Sequence, residues 1–146
     1  MRRGVWLGAA VLWMVFIWSN SLQTAAESSA NSQGFLSLLM PLLEWTNIPE
    51  DSWHTLIRKA AHMAEFALLG FLWSNALRDE RNHYRPEVPT QLCCALLICL
   101  LTALTDETIQ LFVAGRSGEV RDIWIDFGGG VLGCLTARVI QAIKTR

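Results

Sequence analysis

The chain has 146 residues, 52% of them hydrophobic and only 17% charged, with a formal net charge of -1 at pH 7. That length holds one domain, and the balance leans away from an ordinary soluble globule. It supplies no basic field for a nucleic acid, so no nucleic-acid partner is expected.

Four apolar stretches approach the roughly 20 residues that cross a hydrocarbon core. The first, Gly4 to Trp18, follows Arg2 and Arg3. Its basic start, apolar run and Thr24-Ala25-Ala26 also match a cleaved signal peptide. Bulky Trp13, Phe16 and Trp18 fit better a retained helix with an aromatic interfacial end. Ser19 to Glu27 is polar, and Ser28 to Ser52 carries Phe35, Leu36, Leu39, Leu42 and Trp45 around Pro41. That piece is too short and interrupted to span, and reads as an amphipathic segment lying in the interface. The second span runs from about Trp53 to Leu77, the third from Val88 to Phe112 and the fourth from Val120 to Ile143. Arg78, Arg81, His83, Arg85 and Pro86 mark the turn between spans two and three, and Gly115 and Gly118 the turn before span four. The expected fold is therefore all-α: a polytopic bundle of four transmembrane helices plus an interfacial segment after the first, in a single domain over residues 1–146.

Cys93, Cys94 and Cys99 share one apolar stretch and Cys134 lies in another, without the spacing of a disulfide framework or zinc site. They read as small apolar residues packed in the bundle. Basic residues set the orientation: Arg2 and Arg3, the Arg78 to Arg85 turn, and Arg138, Lys144 and Arg146 all fall on one side if four spans alternate. Both termini are then cytoplasmic, and the Gly115 turn faces outward. Arg58, Lys59, Arg116 and Arg121 fall toward the outer side and need another explanation.

An ionisable residue at mid-membrane costs about 2.5 to 3.5 kcal/mol on insertion scales, so each requires a partner or a task. Here they converge. Arg58, Lys59, His62 and Glu65 occupy the first half of span two, Asp106, Glu107 and Gln110 the end of span three, and Arg121, Asp122 and Asp126 the start of span four. Antiparallel spans bring these to one depth, and Ser19, Asn20, Ser21 and Gln23 arrive at the same end from span one. Residues three or four apart share a helix face, which aligns Arg58, His62 and Glu65, then Asp106 with Gln110, then Asp122 and Asp126 with Gly129, Gly130 and Gly133. The glycines form a small-residue strip for close helix approach. Any one pair, Arg58 with Glu65 or Arg121 with Asp122, reads as an ion pair holding helices in register. The whole layer exceeds what register requires and points to a functional polar pocket.

The run Arg58-Lys59-Ala60-Ala61-His62-Met63-Ala64-Glu65-Phe66 with Leu69-Gly70 resembles the first core motif of the VanZ-like family. Thr105-Asp106-Glu107-Thr108-Ile109-Gln110-Leu111-Phe112, then Gly115-Arg116-Ser117-Gly118, Arg121-Asp122 and Asp126 with Gly129, resemble its second, and Ser19 to Gln23 its serine-rich segment. The resemblance covers nearly the whole chain. It implies a small integral protein of the bacterial cytoplasmic membrane, in a family named for a member linked to low-level teicoplanin resistance, and it leaves the reaction open. Thr108 stands where members often carry histidine, which counts against a mechanism that needs a second histidine.

From chemistry, Arg58, Lys59 and Arg116 are expected to hold an anionic group, a guanidinium offering a bidentate fork. Gln110, Asp126, Ser19 and Gln23 add further binding groups. His62 beside Glu65 can exchange protons near neutral pH, and Asp106, Glu107 and Asp122 can act as general base or hold a divalent cation. The expected ligand is a membrane lipid headgroup or a lipid-linked cell-wall intermediate. A proton or small-ion relay and a non-catalytic scaffold built on interhelical ion pairs stay open as alternatives.

Overall fold

The computed structural model describes residues 2–30, 33–34, 50–78 and 87–144. Among these, every regular element is helical. Four long helices, α1 (Arg2–Ser21), α2 (Glu50–Ala76), α3 (Glu87–Gln110) and α4 (Val120–Lys144), are joined by a fifth, short helix over residues 25–30. Most of the expected interfacial segment and the basic turn after span two lie outside the described residues.

Three of the helices are long and apolar enough to cross a membrane, over Arg3–Ser21, Pro89–Gln110 and Val120–Lys144. Their outward surfaces are apolar too. Val5, Leu12, Leu97, Leu101, Leu132, Leu135 and Val139 stand exposed along the bundle, an arrangement stable against lipid and not against water. α2 has 27 residues, about 40 Å of helix, but it carries Arg58, Lys59, His62 and Glu65 and does not join that set. From Phe66 onward it is free of charge. Phe66, Leu69, Leu72, Trp73 and Ala76 are buried against Ala10, Ile17, Ala95, Cys99, Ala103 and Cys134, so α2 is the central helix and touches the other three long helices.

The closest packing is between α2 and α4. A Cβ placed on Gly129 would collide with the Met63 carbonyl, and one on Gly133 with the Ala67 carbonyl. One on Gly70 would meet the backbone of Gly130. The small residues, four apart on α4, thus meet backbone four apart on α2, and no larger residue fits.

α1 is bound into the bundle by polar contacts as well as apolar ones. The Trp13 indole N–H donates to the Glu65 carbonyl at 2.9 Å and the Trp18 indole to the Thr102 carbonyl at 3.4 Å. These rings were expected at the membrane interface, but two of the three turn inward, because an indole has one donor and the neighbouring helices offer it an acceptor. Phe16, with no donor, stays exposed. Cys99 and Cys134 are packed in the core as expected, whereas Cys93 and Cys94 are exposed.

Two local devices fix the polar end. Thr24 and Glu27 form a capping box at the start of the short helix. The Thr24 N–H donates to the Glu27 carboxylate at 2.8 Å, and the Glu27 N–H donates to Thr24 Oγ1 at 3.3 Å. The hydrogen bonds from the Thr24 side chain and backbone hold the Glu27 carboxyl below its ordinary value. After Gln110 the chain leaves α3 through successive tight turns, and Gly115 takes a positive φ of 76° that a side chain would strain. The Ala25 N–H donates to the Ala114 carbonyl at 3.3 Å, tying the loop after α1 to this turn.

Candidate functional site

The start of α2, the end of α3, the loop 111–119 and the start of α4 enclose a cavity of about 70 Å³, lined by charged and polar side chains. That is room for about two waters or one small anionic group, and not for a whole lipid. Of the residues expected to build the site, Arg58, Lys59, His62, Glu107, Gln110, Arg116, Asp122 and Asp126 line it. Asp106 is not in the lining but lies close to His62, and Arg116 reaches the cavity from the loop.

Each helix delivers its residues for a separate reason. Asp106 is completely buried and held by two donors, Ser21 Oγ from α1 at 2.6 Å and Gln110 Nε2 at 2.9 Å. The second is the expected pairing of residues four apart on α3. Lys59 on α2 forms a close ion pair with Asp122 in the first turn of α4, where a carboxylate also complements the helix N-terminus. Glu107 accepts the Glu119 backbone N–H at 2.8 Å, fastening the N-terminus of α4 to the end of α3. Glu107 therefore positions α4 as well as lining the cavity.

Several expectations are revised. Ser19 is exposed and its hydroxyl donates back to the Val15 carbonyl at 2.8 Å, a local bond on α1 that takes it away from the site. Ser21 and Asn20 reach the polar layer in its place. Gln23 follows the end of α1, its N–H bonded to the Asn20 carbonyl, and does not line the cavity. Glu65 does not line it either. Its carboxylate accepts from Asn20 Nδ2 at 3.2 Å, turned toward α1, so the acids nearest His62 come from other helices. Arg121 is exposed, and Asp122 is paired with Lys59 across helices instead of with its sequence neighbour.

The donor atoms of His62, Asp106 and Asp126 lie within 4.8 Å of one another, a different set from the Asp106, Glu107 and Asp122 expected to meet a cation. His62 Nδ1 stands 3.8 Å from Asp126 Oδ2, too far for a hydrogen bond. Both Asp126 oxygens are buried without a hydrogen-bond partner. At the other side of the cavity Arg116 Nε is likewise buried and unpartnered, while its NH2 group reaches only the Asn20 carbonyl at 3.5 Å. Burial and the neighbouring Arg58 charge lower the proton affinity of the Arg116 guanidinium, with Asp106 and Glu107 acting the other way.

A bundle clad in apolar side chains, with a charged cavity let into one end, defines a helical membrane protein with a polar site. Residues 6–141 match the model of the VanZ/LLP1 family, and the chain belongs to that family. No curated protein and no solved structure matches it.

Proposed function

We propose that the chain crosses the bacterial cytoplasmic membrane four times with both termini in the cytoplasm. In this reading its cavity opens at the outer surface and binds the anionic group of a lipid headgroup or lipid-linked cell-envelope intermediate. The observation that carries the reading is the pair of guanidiniums at the cavity. Arg58 and Arg116 repel each other there, and Arg116 Nε is a buried donor with nothing to donate to. A phosphate or carboxylate relieves both defects at once. The family's link to teicoplanin resistance agrees with a ligand from the cell envelope. α2 serves as the remaining span because its charges all lie at or before Glu65, toward the polar end, and the stretch from Phe66 to Ala76 is packed in the apolar core.

Phosphatidate titrated into the detergent-solubilised protein and followed by native mass spectrometry tests the ligand class. Wild type should bind it in preference to diacylglycerol, which lacks the phosphate, and Arg116→Ala should weaken binding about tenfold or more, the size of a charged hydrogen bond. Arg116→Lys should recover only part, since the ammonium keeps the charge and loses the fork. Equal affinity for the two lipids would overturn the reading. Orientation is tested by Ser117→Cys in a background lacking the native cysteines: an impermeant maleimide should label it in intact cells, and labelling only after permeabilisation would reverse the topology.

The Lys59–Asp122 pair favours a second reading, a scaffold in which interhelical charges serve assembly alone. Under that reading the lipid titration gives no discrimination. A proton relay has less support, because the apolar layer of Phe66, Leu69, Cys99, Ala103 and Cys134 lies below the cavity.

A further inference from the structure

Beside the arginines, the cavity holds the opposite defect: a buried carboxyl group whose oxygens have no hydrogen-bond partner. Asp126 is 1% exposed, and neither of its oxygens accepts a hydrogen bond. A carboxylate in that condition is costly inside a protein, and more so within a membrane layer, unless something neutralises it. His62 is the nearest basic group, yet at 3.8 Å it is outside hydrogen-bond range. The spacing has a simple chemical meaning. Donors sharing one divalent ion at about 2.1 Å stand apart by roughly 3 Å when adjacent and about 4 Å when opposed, which brackets the His62–Asp126 separation.

We propose that His62, Asp106 and Asp126 form a binding site for a first-row divalent metal ion of the zinc or manganese type. One imidazole nitrogen and two carboxylates suit such an ion, whereas magnesium and calcium prefer oxygen donors throughout. Two carboxylates facing a neutral imidazole also match the charge of a dication. The supporting contacts of a metal ligand are already in place on Asp106, where Ser21 bonds one oxygen and Gln110 the other, leaving a lone pair on each and fixing the carboxylate plane. With His62 and Asp126 in the cavity lining and Asp106 close to them, three protein ligands leave a coordination position open toward the cavity, the arrangement of a catalytic rather than a structural metal site. The inference goes beyond the headgroup reading and does not require it, since an ion held here is bound whether or not the arginines above it meet a phosphate.

The test reads the metal directly. The full-length chain, purified without a metal-binding tag and stripped with chelator, is titrated with Zn²⁺ and with Mn²⁺ in the absence of lipid. Bound metal is then measured after gel filtration. Wild type should take up about one ion per chain. Asp126→Asn should lower the affinity at least about tenfold, because even outer-shell partners of a metal site are worth that much. Glu27→Gln, at an exposed acid outside the cavity lining, should bind as wild type does. His62→Asp gives an independent reading should Asp126→Asn fail to fold: with oxygen donors alone, preference should move from Zn²⁺ toward Mn²⁺. No uptake by wild type, unchanged uptake by Asp126→Asn, or an unaltered zinc preference in His62→Asp would each overturn the site. Loss of lipid discrimination with metal uptake intact would reject the headgroup reading alone.

Discussion

Replacing Gly133 with alanine is expected to cost about 3 kcal/mol of stability, the upper part of the range for overpacking, and to separate α4 from α2 at their closest point. The added methyl would be driven into the Ala67 carbonyl and toward the Phe71 amide nitrogen. Both obstacles are helix backbone, so no side-chain rotation makes room and one helix must shift. The shift would carry Asp126 and Asp122 away from His62 and Lys59, so the cavity should open along with the seam. Gly128→Ala is the matched control. It lies on the same helix with nothing within 4 Å of its added Cβ, so it should be neutral or slightly stabilising, as alanine is the better helix former. Thermal unfolding of both variants in one detergent reads the difference. A similar loss in the two would mean that glycine at these positions matters for the helix itself and not for the contact.

The same seam shows how much of the structure is legible in the sequence. Glycines at 129 and 133 sit on the face of Asp122 and Asp126 by simple helical spacing, and that face is where α2 packs. Asp106 with Gln110 is equally readable, because both partners lie on one helix. Convergence of His62, Asp126 and Arg116 follows from antiparallel order alone. What spacing does not give is the rotation of a helix that is apolar all round. Lipid and core are equally apolar, so α1 carries no stripe to mark its inner face. Ser19 and Ser21 differ by about 200° around it, and it is Ser21 that points inward. Cys93 and Cys94 face outward for the same lack of a signal. The role of Glu107 is hidden for another reason. Its partner is the backbone of Glu119, and that contact exists only once the loop 111–119 has folded back over the end of α3.

Asp106 and Asp126 are both buried acids at this end of the bundle, and their amide variants should nevertheless behave in opposite ways. Asp106 accepts from two donors, Ser21 and Gln110. An asparagine there presents its own N–H₂ to one of them, leaving a buried donor facing a donor, and should cost about 1 to 3 kcal/mol. It should also loosen α1, whose Ser21 would lose its acceptor on α3. Asp126 accepts from none, so Asp126→Asn removes a buried ionisable group without breaking a hydrogen bond, and stability should hold or rise. The comparison is made by thermal unfolding with chelator present, since a bound ion would stabilise the wild type by mass action and mask the effect. Both variants should lose the metal. If Asp126→Asn instead loses as much stability as Asp106→Asn under chelator, the His62–Asp126 pair is a structural ion pair. The charge at the floor of the cavity would then already be satisfied by the protein. If it holds its stability, Asp126 is a carboxylate kept at a cost to the apo fold, which is how a ligand site differs from a helix contact.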